Sequence, residues 1–232
     1  MNHNYKHIIF DLDRTLWDFD KSSEETFREM YSIFGLQQKG VAEVHVFFHN
    51  YQKINDKYWA KYRAGNISKA DLNVLRFEDS LKLYAIIDRE LAKKMASYYL
   101  QHSPSKKNLF PYTLELLSYL KKKYKLHILT NGFKEVQKKK MDINGLSPYF
   151  EGLYTSEDAG TLKPSPIAFQ YALNKIGAKA DECIMVGDDY QVDILGAKKI
   201  GMDQIFVDFE NDSSNYDCTF CVSSLKEIEM IL

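Results

Sequence analysis

The chain alternates short apolar runs with stretches in which apolar residues recur at helical spacing. Five apolar runs stand out, at residues 8–12, 126–130, 183–186, 204–209 and 218–222. Runs that are apolar throughout are typical of strands in a parallel sheet covered on both faces. The stretches between them predict helices, one of which begins at Ser165 and Pro166 and ends at Gly177. The pattern predicts a doubly wound, Rossmann-like α/β core with a parallel sheet.

The pattern changes after the first apolar run. Residues 17–104 show almost no strand signal, and Phe47, Tyr51, Ile54 and Tyr58 fall on one helical face. We therefore predict an inserted all-helical domain of about four helices over residues 17–104. The remaining residues, 1–16 and 105–232, form the predicted core domain.

The composition is that of an ordinary soluble globular protein, because 45% of the 232 residues are apolar and 27% are charged. The net charge of −1 gives no long-range attraction to a nucleic acid polymer or an anionic membrane, so we expect neither as a partner. No apolar run is long enough to span a bilayer. Asp11 and Asp13 interrupt the first run too early for a signal peptide. We expect a cytoplasmic protein.

Cysteines and lysine runs are predicted to be structural or solvated. The three cysteines, Cys183, Cys218 and Cys221, are too few for a disulfide framework. Cys218 and Cys221 fall in a predicted strand, where residues three apart face opposite sides, so we predict no shared metal. The lysine runs at residues 121–123 and 138–140 are predicted to be solvated helix faces.

Polar residues follow several of the predicted strands. They are Asp11 and Asp13 after the first strand, Thr130 and Asn131 after the second, Lys163 in a loop before a helix, and Asp188 and Asp189 with Asp193 after the third. In an open α/β sheet the ligand crevice lies outside the carboxyl ends of the strands, so these side chains should converge.

The residue types in this set favour phosphoryl transfer. Crowded carboxylates repel one another unless a cation joins them, and oxygen ligands favour magnesium. A lysine and a hydroxyl beside them form a phosphate site. A carboxylate nucleophile next to a metal and a lysine suits transfer through an aspartyl-phosphate, and a second carboxylate can exchange protons with the leaving oxygen and with water.

Four motifs in this chain resemble those of the haloacid dehalogenase (HAD) superfamily, in the family's order. They are Asp11-Leu12-Asp13-Arg14-Thr15, Thr130-Asn131, Lys163-Pro164 and Gly187-Asp188-Asp189 with Asp193. Each motif alone is a weak signal, but the ordered set is specific and the similarity covers the whole chain.

The resemblance implies a magnesium-dependent enzyme with defined residue roles. Asp11 would be the nucleophile and a metal ligand, Asp13 the general acid and base and a ligand through its backbone carbonyl, and Asp188 a metal ligand. Thr130, Lys163 and a backbone N–H near Asn131 would bind the phosphoryl group. Asp189 and Asp193 would be supporting acids. The substrate would be a small phosphate ester, and the protein a monomer or small homo-oligomer.

The inserted segment resembles the family's helical cap. Residues 15–19 and 65–77 are similar to YjjG-type nucleotidases, which dephosphorylate pyrimidine nucleoside monophosphates. The resemblance therefore implies a nucleotide substrate, and Trp17 and Phe19, at the junction of core and insertion, are candidate substrate contacts. Arg14 departs from the family, where this position is usually Gly or Asp, and we expect its side chain to point outward.

Other functions remain open at this point. A sugar-phosphate phosphatase or a phosphosugar mutase would use the same core motifs. A true haloacid dehalogenase would need no metal and would leave Asp13 and Asp188 unexplained. A receiver-like signalling domain would carry its acceptor aspartate on a middle strand and would have no insertion of about 90 residues.

Overall fold

The computed structural model describes residues 4–210 and 216–232, and the chain divides into two compact units. The first unit comprises Met1–Phe19 and Lys107–Leu232, and the second comprises Asp20–Lys106. We call them the sheet unit and the helical unit.

The sheet unit is built on a six-stranded parallel sheet. Its strands are β1 (His7–Phe10), β2 (Lys125–Thr130), β3 (Phe150–Thr155), β4 (Cys183–Gly187), β5 (Asp203–Val207) and β6 (Phe220–Val222). Their order across the sheet is β3-β2-β1-β4-β5-β6. This is the doubly wound arrangement that the sequence predicts, and the fold-class prediction is confirmed.

The helical unit contains four long helices. They are α1 (Phe19–Ile33, which starts in the sheet unit), α2 (Val44–Arg63), α3 (Lys69–Lys82) and α4 (Arg89–His102). Its core is rich in aromatic rings, contributed by Phe27, Phe47, Tyr51, Phe77 and Tyr99. The predicted apolar face of α2 is buried at Phe47, Tyr51 and Tyr58, so the insertion is all-helical as predicted. In the ranges that the structure describes, no helix is both long and apolar enough to cross a membrane.

Helices cover both faces of the sheet. The sheet unit contains α5 (Thr113–Leu120), α6 (Lys134–Ile143), α7 (Ser156–Ala159), α8 (Pro166–Ile176) and α9 (Leu195–Lys198). Successive side chains of β1 alternate, because Ile8 and Phe10 pack in the core that includes α5, whereas Ile9 packs in the core that includes α8. As predicted, α8 starts at Pro166 and is terminated by Gly177 in a left-handed conformation, with φ +74°.

Two strands differ from the sequence prediction. β3 was not predicted, because it is an edge strand with only one fully buried residue and a glycine, Gly152, in its centre. β6 begins at Phe220, so Cys218 lies in the bend before it. Burial, followed by the neighbouring Cys221 thiol, raises the pKa of Cys218 to about 11. The two thiols are therefore close, and the prediction that they face opposite sides of one strand is wrong.

The sheet order fixes where a ligand site can form. β1 pairs with β2 on one side and with β4 on the other, with Phe10 in register with Ile128 and Val186. The strand order reverses at β1, and such a switch point opens a crevice at the carboxyl ends of the central strands. The loops that follow β1, β2 and β4 therefore meet at one place.

Candidate active site

Asp11 is the first residue after β1, and a buried lysine holds its side chain. Its backbone N–H donates to the Val186 carbonyl oxygen of β4 at 2.9 Å. The Lys163 ammonium donates to Asp11 Oδ1 and to Asp193 Oδ1, both at 2.6 Å, and Lys163 is only 1% exposed. The structure therefore brings together three residues that are distant in the chain, because Lys163 joins Asp11 to Asp193.

Asp188 joins Asp11 and Asp193 in a cluster of three carboxylates. Oxygen atoms of Asp11, Asp188 and Asp193 lie within 4.8 Å of one another. Burial raises the pKa of Asp11 well above its usual range, even though the Lys163 charge opposes this effect. Burial, followed by the Asp193 charge, raises the pKa of Asp188 to about 7. The Thr15 hydroxyl donates to Asp188 Oδ1 at 2.7 Å and fixes its orientation.

The donor set suits a divalent cation with oxygen ligands. When ionised, three carboxylates beside one ammonium leave an excess of two negative charges in a buried site. Lys163 offsets only one of the three carboxylate charges, so the side chains alone leave the cluster negative. A hard divalent ion would balance it, so the residues present fit such an ion.

Asp13 lies apart from this cluster and faces α6. Lys140 Nζ donates to Asp13 Oδ1 at 2.5 Å, and Gln137 Nε2 donates to Asp13 Oδ2 at 2.9 Å. Both oxygens of Asp13 therefore accept hydrogen bonds from side chains of α6. Its side chain is not one of the three clustered carboxylates.

Thr130 and Asn131 follow β2 and have different partners. Thr130 Oγ1 accepts hydrogen bonds from the Gly132 N–H at 3.0 Å and from Gln137 Nε2 at 2.7 Å. Asn131 Nδ2 donates to the Lys163 carbonyl oxygen at 2.9 Å, and its Oδ1 accepts from the Lys163 N–H at 2.7 Å. The Asn131 side chain therefore positions the loop that carries Lys163.

The two supporting acids occupy unlike environments. Asp193 is 1% exposed and ion-paired with Lys163. Its close approach requires glycine at position 187, because a Cβ on Gly187 would lie 2.4 Å from Asp193 Oδ2. Asp189 is exposed, and its Oδ1 accepts from the N–H groups of Gln191 and Val192 at 3.0 and 2.9 Å. Asp189 therefore caps the next turn.

Comparison with known proteins places this site in a family. The profile of haloacid dehalogenase-like hydrolases matches residues 5–201. The chain belongs to this family. The match includes all the motif residues of the site, so the predicted superfamily is confirmed.

Individual relatives match along the whole chain. The pyrimidine 5′-nucleotidase YjjG of Escherichia coli is 29% identical over 232 residues, covering 97% of this chain and 96% of the relative. The glyceraldehyde 3-phosphate phosphatase of Methanocaldococcus jannaschii is 29% identical over 233 residues, covering 96% and 95%. The solved structure of the putative HAD-hydrolase YfnB of Bacillus subtilis superposes with a TM-score of 0.89 at 24% identity, covering 99% of each chain. The protein is thus an enzyme of phosphatase type, as predicted.

Trp17 and Phe19, the predicted substrate contacts of this HAD-like hydrolase, are placed differently. Trp17 is 0% exposed, and the Lys140 ammonium lies 4.2 Å from its ring centroid. It presents no ring surface to a substrate in this structure. Phe19 is half-buried, with its ring 6.2 Å from that of Trp17. The Arg14 guanidinium lies 4.7 Å from the Phe19 centroid, and its charge partly opposes the rise in the pKa of Asp188 that burial causes. The side chain of Arg14 therefore acts on the site instead of pointing away from it.

Three residues that contact the site were missed by the sequence analysis. Thr15 appeared only as the last residue of the first motif. Gln137 had no assigned role, and Lys140 was predicted to be solvated with the other lysines of its run, which is wrong because it is 4% exposed. The available signal was helical spacing, since Gln137, Lys140 and Met141 lie on one face of α6 and are all buried.

Proposed function

We propose that this HAD-like hydrolase is a magnesium-dependent phosphomonoester hydrolase that acts through an aspartyl-phosphate on Asp11. The observation that carries the proposal is the division of carboxylates into two groups. Asp11 lies with Lys163, Asp188 and Asp193 in a cluster that suits a divalent ion. Asp13, two residues on, is held separately by Lys140. One carboxylate is thus available as a nucleophile and another for proton transfer.

In the first step a carboxylate oxygen of Asp11 attacks the phosphorus of the ester. The bond between phosphorus and the leaving oxygen breaks, and that oxygen takes a proton from Asp13 in its acid form. Lys163 and the Thr130 hydroxyl hold the phosphoryl oxygens, and Lys163 offsets the charge that accumulates on them. The products of this step are an alcohol and an acyl phosphate on Asp11.

In the second step the ionised Asp13 takes a proton from a water molecule. The water oxygen attacks phosphorus, the bond between phosphorus and the Asp11 oxygen breaks, and inorganic phosphate leaves. The hydrogen bonds that Lys140 and Gln137 donate to Asp13 hold its side chain in place for this step. Asp13 then carries the proton needed for the next turnover.

Asp11, Asp188 and the backbone carbonyl of Asp13 would hold Mg²⁺. Asp193 would stay outside the ligand set, because both of its oxygens already accept hydrogen bonds, Oδ1 from Lys163 and Oδ2 from the Asp189 N–H. When bound, the ion neutralises the excess charge of the cluster and lowers the repulsion between Asp11 and the phosphate.

The proposed substrate is a nucleoside 5′-monophosphate, with pyrimidines favoured. Support comes from the pyrimidine 5′-nucleotidase relative, which is similar along the whole chain. A sugar-phosphate phosphatase is the second candidate, because the glyceraldehyde 3-phosphate phosphatase relative has the same sequence identity to this chain, 29%. The helical unit, proposed to be the family's cap, carries most of the sequence that could separate these substrates.

The mechanism is tested with p-nitrophenyl phosphate and UMP as substrates. We expect hydrolysis to stop on exhaustive chelation and to return with added Mg²⁺. Asp11→Asn should lower kcat by about 10⁴-fold or more without unfolding the protein. Mass spectrometry of acid-quenched reactions should find one phosphoryl group on the peptide that contains Asp11.

The matched control is Asp181→Asn, which changes an exposed carboxylate before β4 and should leave hydrolysis unchanged. Full activity after chelation would overturn the metal requirement. An Asp11→Asn variant that kept a tenth of the wild-type rate would remove Asp11 as the nucleophile.

A further inference from the structure

Two polar side chains of α6 connect Asp13 with Thr130, the proposed phosphate-binding residue. Gln137 is 0% exposed and Lys140 is 4% exposed, and they lie one helical turn apart on the same face. Lys140 donates a hydrogen bond to Asp13, whereas Gln137 donates to both Asp13 and Thr130. We call Gln137 and Lys140 the α6 pair.

Gln137 determines which way the Thr130 hydroxyl points. A hydroxyl has one proton to donate and two positions at which it can accept. Thr130 Oγ1 accepts from the Gly132 N–H and from Gln137 Nε2, at 3.0 and 2.7 Å. Both acceptor positions are therefore filled, and the Thr130 proton must be donated to a third group. In the proposed function that group is a phosphoryl oxygen.

The α6 pair also fixes the plane of the Asp13 carboxylate. Each of the two oxygens accepts one hydrogen bond, from Lys140 Nζ at 2.5 Å and from Gln137 Nε2 at 2.9 Å. The Lys140 ammonium is itself held between this carboxylate and the face of Trp17, 4.2 Å from the ring centroid. Rotation of Asp13 about its side-chain bonds would break both hydrogen bonds.

The buried polar contacts of Gln137 and Lys140 cost stability, and a helix face that served only for packing would not need them. Lys140 is 4% exposed, and removal of its ammonium from water costs stability that one ion pair with Asp13 offsets only in part. Gln137 Oε1 is buried and has no hydrogen-bond partner among residues 4–210 and 216–232. A Cβ at Gly132 would lie 2.3 Å from Gln137 Nε2, so glycine at that position makes room for the amide. The polar groups are accommodated where apolar ones would pack more cheaply.

We propose that Gln137 and Lys140 are positioning residues for the hydrolysis reaction: Lys140 and Gln137 aim the Asp13 carboxylate at the leaving oxygen, and Gln137 turns the Thr130 hydroxyl into a donor toward the phosphoryl group. The proposal rests on the proposed function, because it needs Asp13 to exchange protons with the substrate. It adds α6 to the site and joins phosphate binding to proton transfer through one amide.

The leaving group distinguishes this role from a structural one. An alkyl phosphate, such as a nucleoside monophosphate, needs a proton on its leaving oxygen. The p-nitrophenolate group of p-nitrophenyl phosphate leaves with little proton donation. Lys140→Met should therefore slow transfer from alkyl phosphates by about 10²-fold and transfer from p-nitrophenyl phosphate by only about 3-fold, within the range of general acid catalysis. Lys140→Arg keeps a cationic donor and should restore most of the alkyl rate.

Gln137→Met should give a different pattern because Gln137 contacts both groups. Loss of the Thr130 orientation should raise KM for every phosphate ester, and loss of one Asp13 contact should lower kcat for alkyl esters in addition. This variant leaves the Lys140–Asp13 ion pair in place, so it tests the proposal even if the Lys140→Met protein does not fold.

The experiment measures single-turnover release of the leaving group, which isolates transfer to Asp11 from the later hydrolysis step. Thermal unfolding confirms that each variant is folded. Lys138→Met is the matched control, since Lys138 is an exposed lysine of the same helix, and it should leave both rates unchanged. A double-mutant cycle supplies the decisive readout: in an Asp13→Asn background, Lys140→Met should cause no further loss.

Equal slowing of aryl and alkyl esters by Lys140→Met, or additive losses in the cycle, would overturn the positioning role. Those results would leave wild-type hydrolysis and its Asp11 phosphorylation intact. A wild-type protein that neither hydrolyses phosphate esters nor becomes phosphorylated on Asp11 would instead overturn the proposed function itself.

Discussion

Trp17 shows how burial separates two residues that look alike in the sequence. Both Trp17 and Phe19 are aromatic and lie near the end of the first sheet-unit segment. Trp17 is fully buried in the core with Leu12 and Leu16, and its ring supports the Lys140 ammonium. Phe19 packs at the edge of that core and is half-buried. The structure therefore favours a structural role for Trp17 and leaves Phe19 as the candidate for substrate contact.

Substitution of each aromatic residue should give a different loss. Trp17→Ala should lower the free energy of unfolding by about 3–5 kcal/mol, the usual cost of removing a large buried ring, and should reduce turnover of all phosphate esters alike. Phe19→Ala should instead raise KM for nucleotides while sparing p-nitrophenyl phosphate. Urea unfolding and steady-state kinetics measure the two effects. A Phe19→Ala variant with equal losses on both substrates would assign Phe19 to packing.

Asp188 should limit the stability of the metal-free protein. Its pKa is raised to about 7 by burial and by Asp193, so its ionised form is disfavoured in the folded state and the cost is complete above that pH. Asp188→Asn should therefore raise the melting temperature of the chelated protein at about pH 8. The same change should abolish the rise in melting temperature that Mg²⁺ causes in the wild type.

Asp189→Asn provides the comparison for this experiment. Asp189 is adjacent but exposed, and its carboxylate caps a turn. The variant should keep the Mg²⁺-dependent rise in melting temperature. An Asp188→Asn protein that is still stabilised by Mg²⁺ as strongly as the wild type would remove Asp188 from the proposed ligand set.

At the scale of residues, the sequence was informative where chemistry follows a strand end. Asp11, Lys163 and Asp188 were predicted from motifs and meet as expected in the carboxyl-end crevice. Lys140 and Gln137 were not, because the burial of a lysine depends on which helix face packs against the sheet. A run of three lysines gives no local sign that its last member is inside.

At the scale of elements, β1 and β2 carry a pair of buried histidines at the end opposite the site. His7 Nδ1 and His127 Nε2 are 3.1 Å apart, and both residues are at least nine-tenths buried. His127 Nδ1 has no hydrogen-bond partner within the part of the chain that the structure describes. Burial, followed by the His7 charge, lowers the pKa of His127 to about 4. The pair is therefore neutral at neutral pH.

Protonation of His127 should destabilise the fold in mild acid. Its pKa falls from 6.5 in the unfolded chain to about 4 in the folded one, so the unfolded state binds the proton more tightly. Stability is complete above about pH 6.5 and declines as the pH falls towards 4, by about 2 kcal/mol at pH 4.5. His127→Phe removes the titrating group and should flatten this decline in urea unfolding.

His49→Phe is the matched substitution at an exposed histidine, and it should keep the wild-type pH dependence. The buried acids of the active site act in the opposite direction, since their raised pKa values favour folding as the pH falls. They are unchanged in both variants, so the difference from wild type isolates His127. Parallel curves for wild type and His127→Phe would contradict the prediction.

The elements themselves were predictable to different degrees. β1 and β4 are buried throughout, β2 and β5 are buried after their first residue, and the apolar runs indicated each strand to within a few residues. β3 escaped detection because an edge strand needs fewer apolar residues and tolerates a glycine in its centre. The sequence predicted a doubly wound parallel sheet but not the order in which its strands pair. That order is set by contacts between residues far apart in the chain.

At the scale of the whole molecule, similarity alone does not decide the substrate. The chain is 29% identical to a pyrimidine 5′-nucleotidase and 29% identical to a glyceraldehyde 3-phosphate phosphatase, in both cases over nearly its full length. In the proposed mechanism, Asp11, Asp13 and Lys163 would serve any phosphomonoester. Selectivity must therefore come from groups that recognise the alcohol part of the ester, and those lie outside the motifs.

A comparison of UMP with ribose 5-phosphate tests the nucleotide assignment directly. The two esters share the sugar and the phosphate and differ by the base, so a difference in kcat/KM reports base recognition alone. Stacking of a base on an aromatic ring contributes about 1–3 kcal/mol, which corresponds to a preference for UMP of about 5-fold to 150-fold. Phe19→Ala should remove much of this preference and leave the rate on ribose 5-phosphate unchanged.

Glyceraldehyde 3-phosphate and glucose 6-phosphate complete the panel. A kcat/KM on either of them above that on UMP and dUMP would reject the nucleotidase and support a sugar-phosphate phosphatase, while the requirement for Asp11 and a divalent ion would hold in both cases.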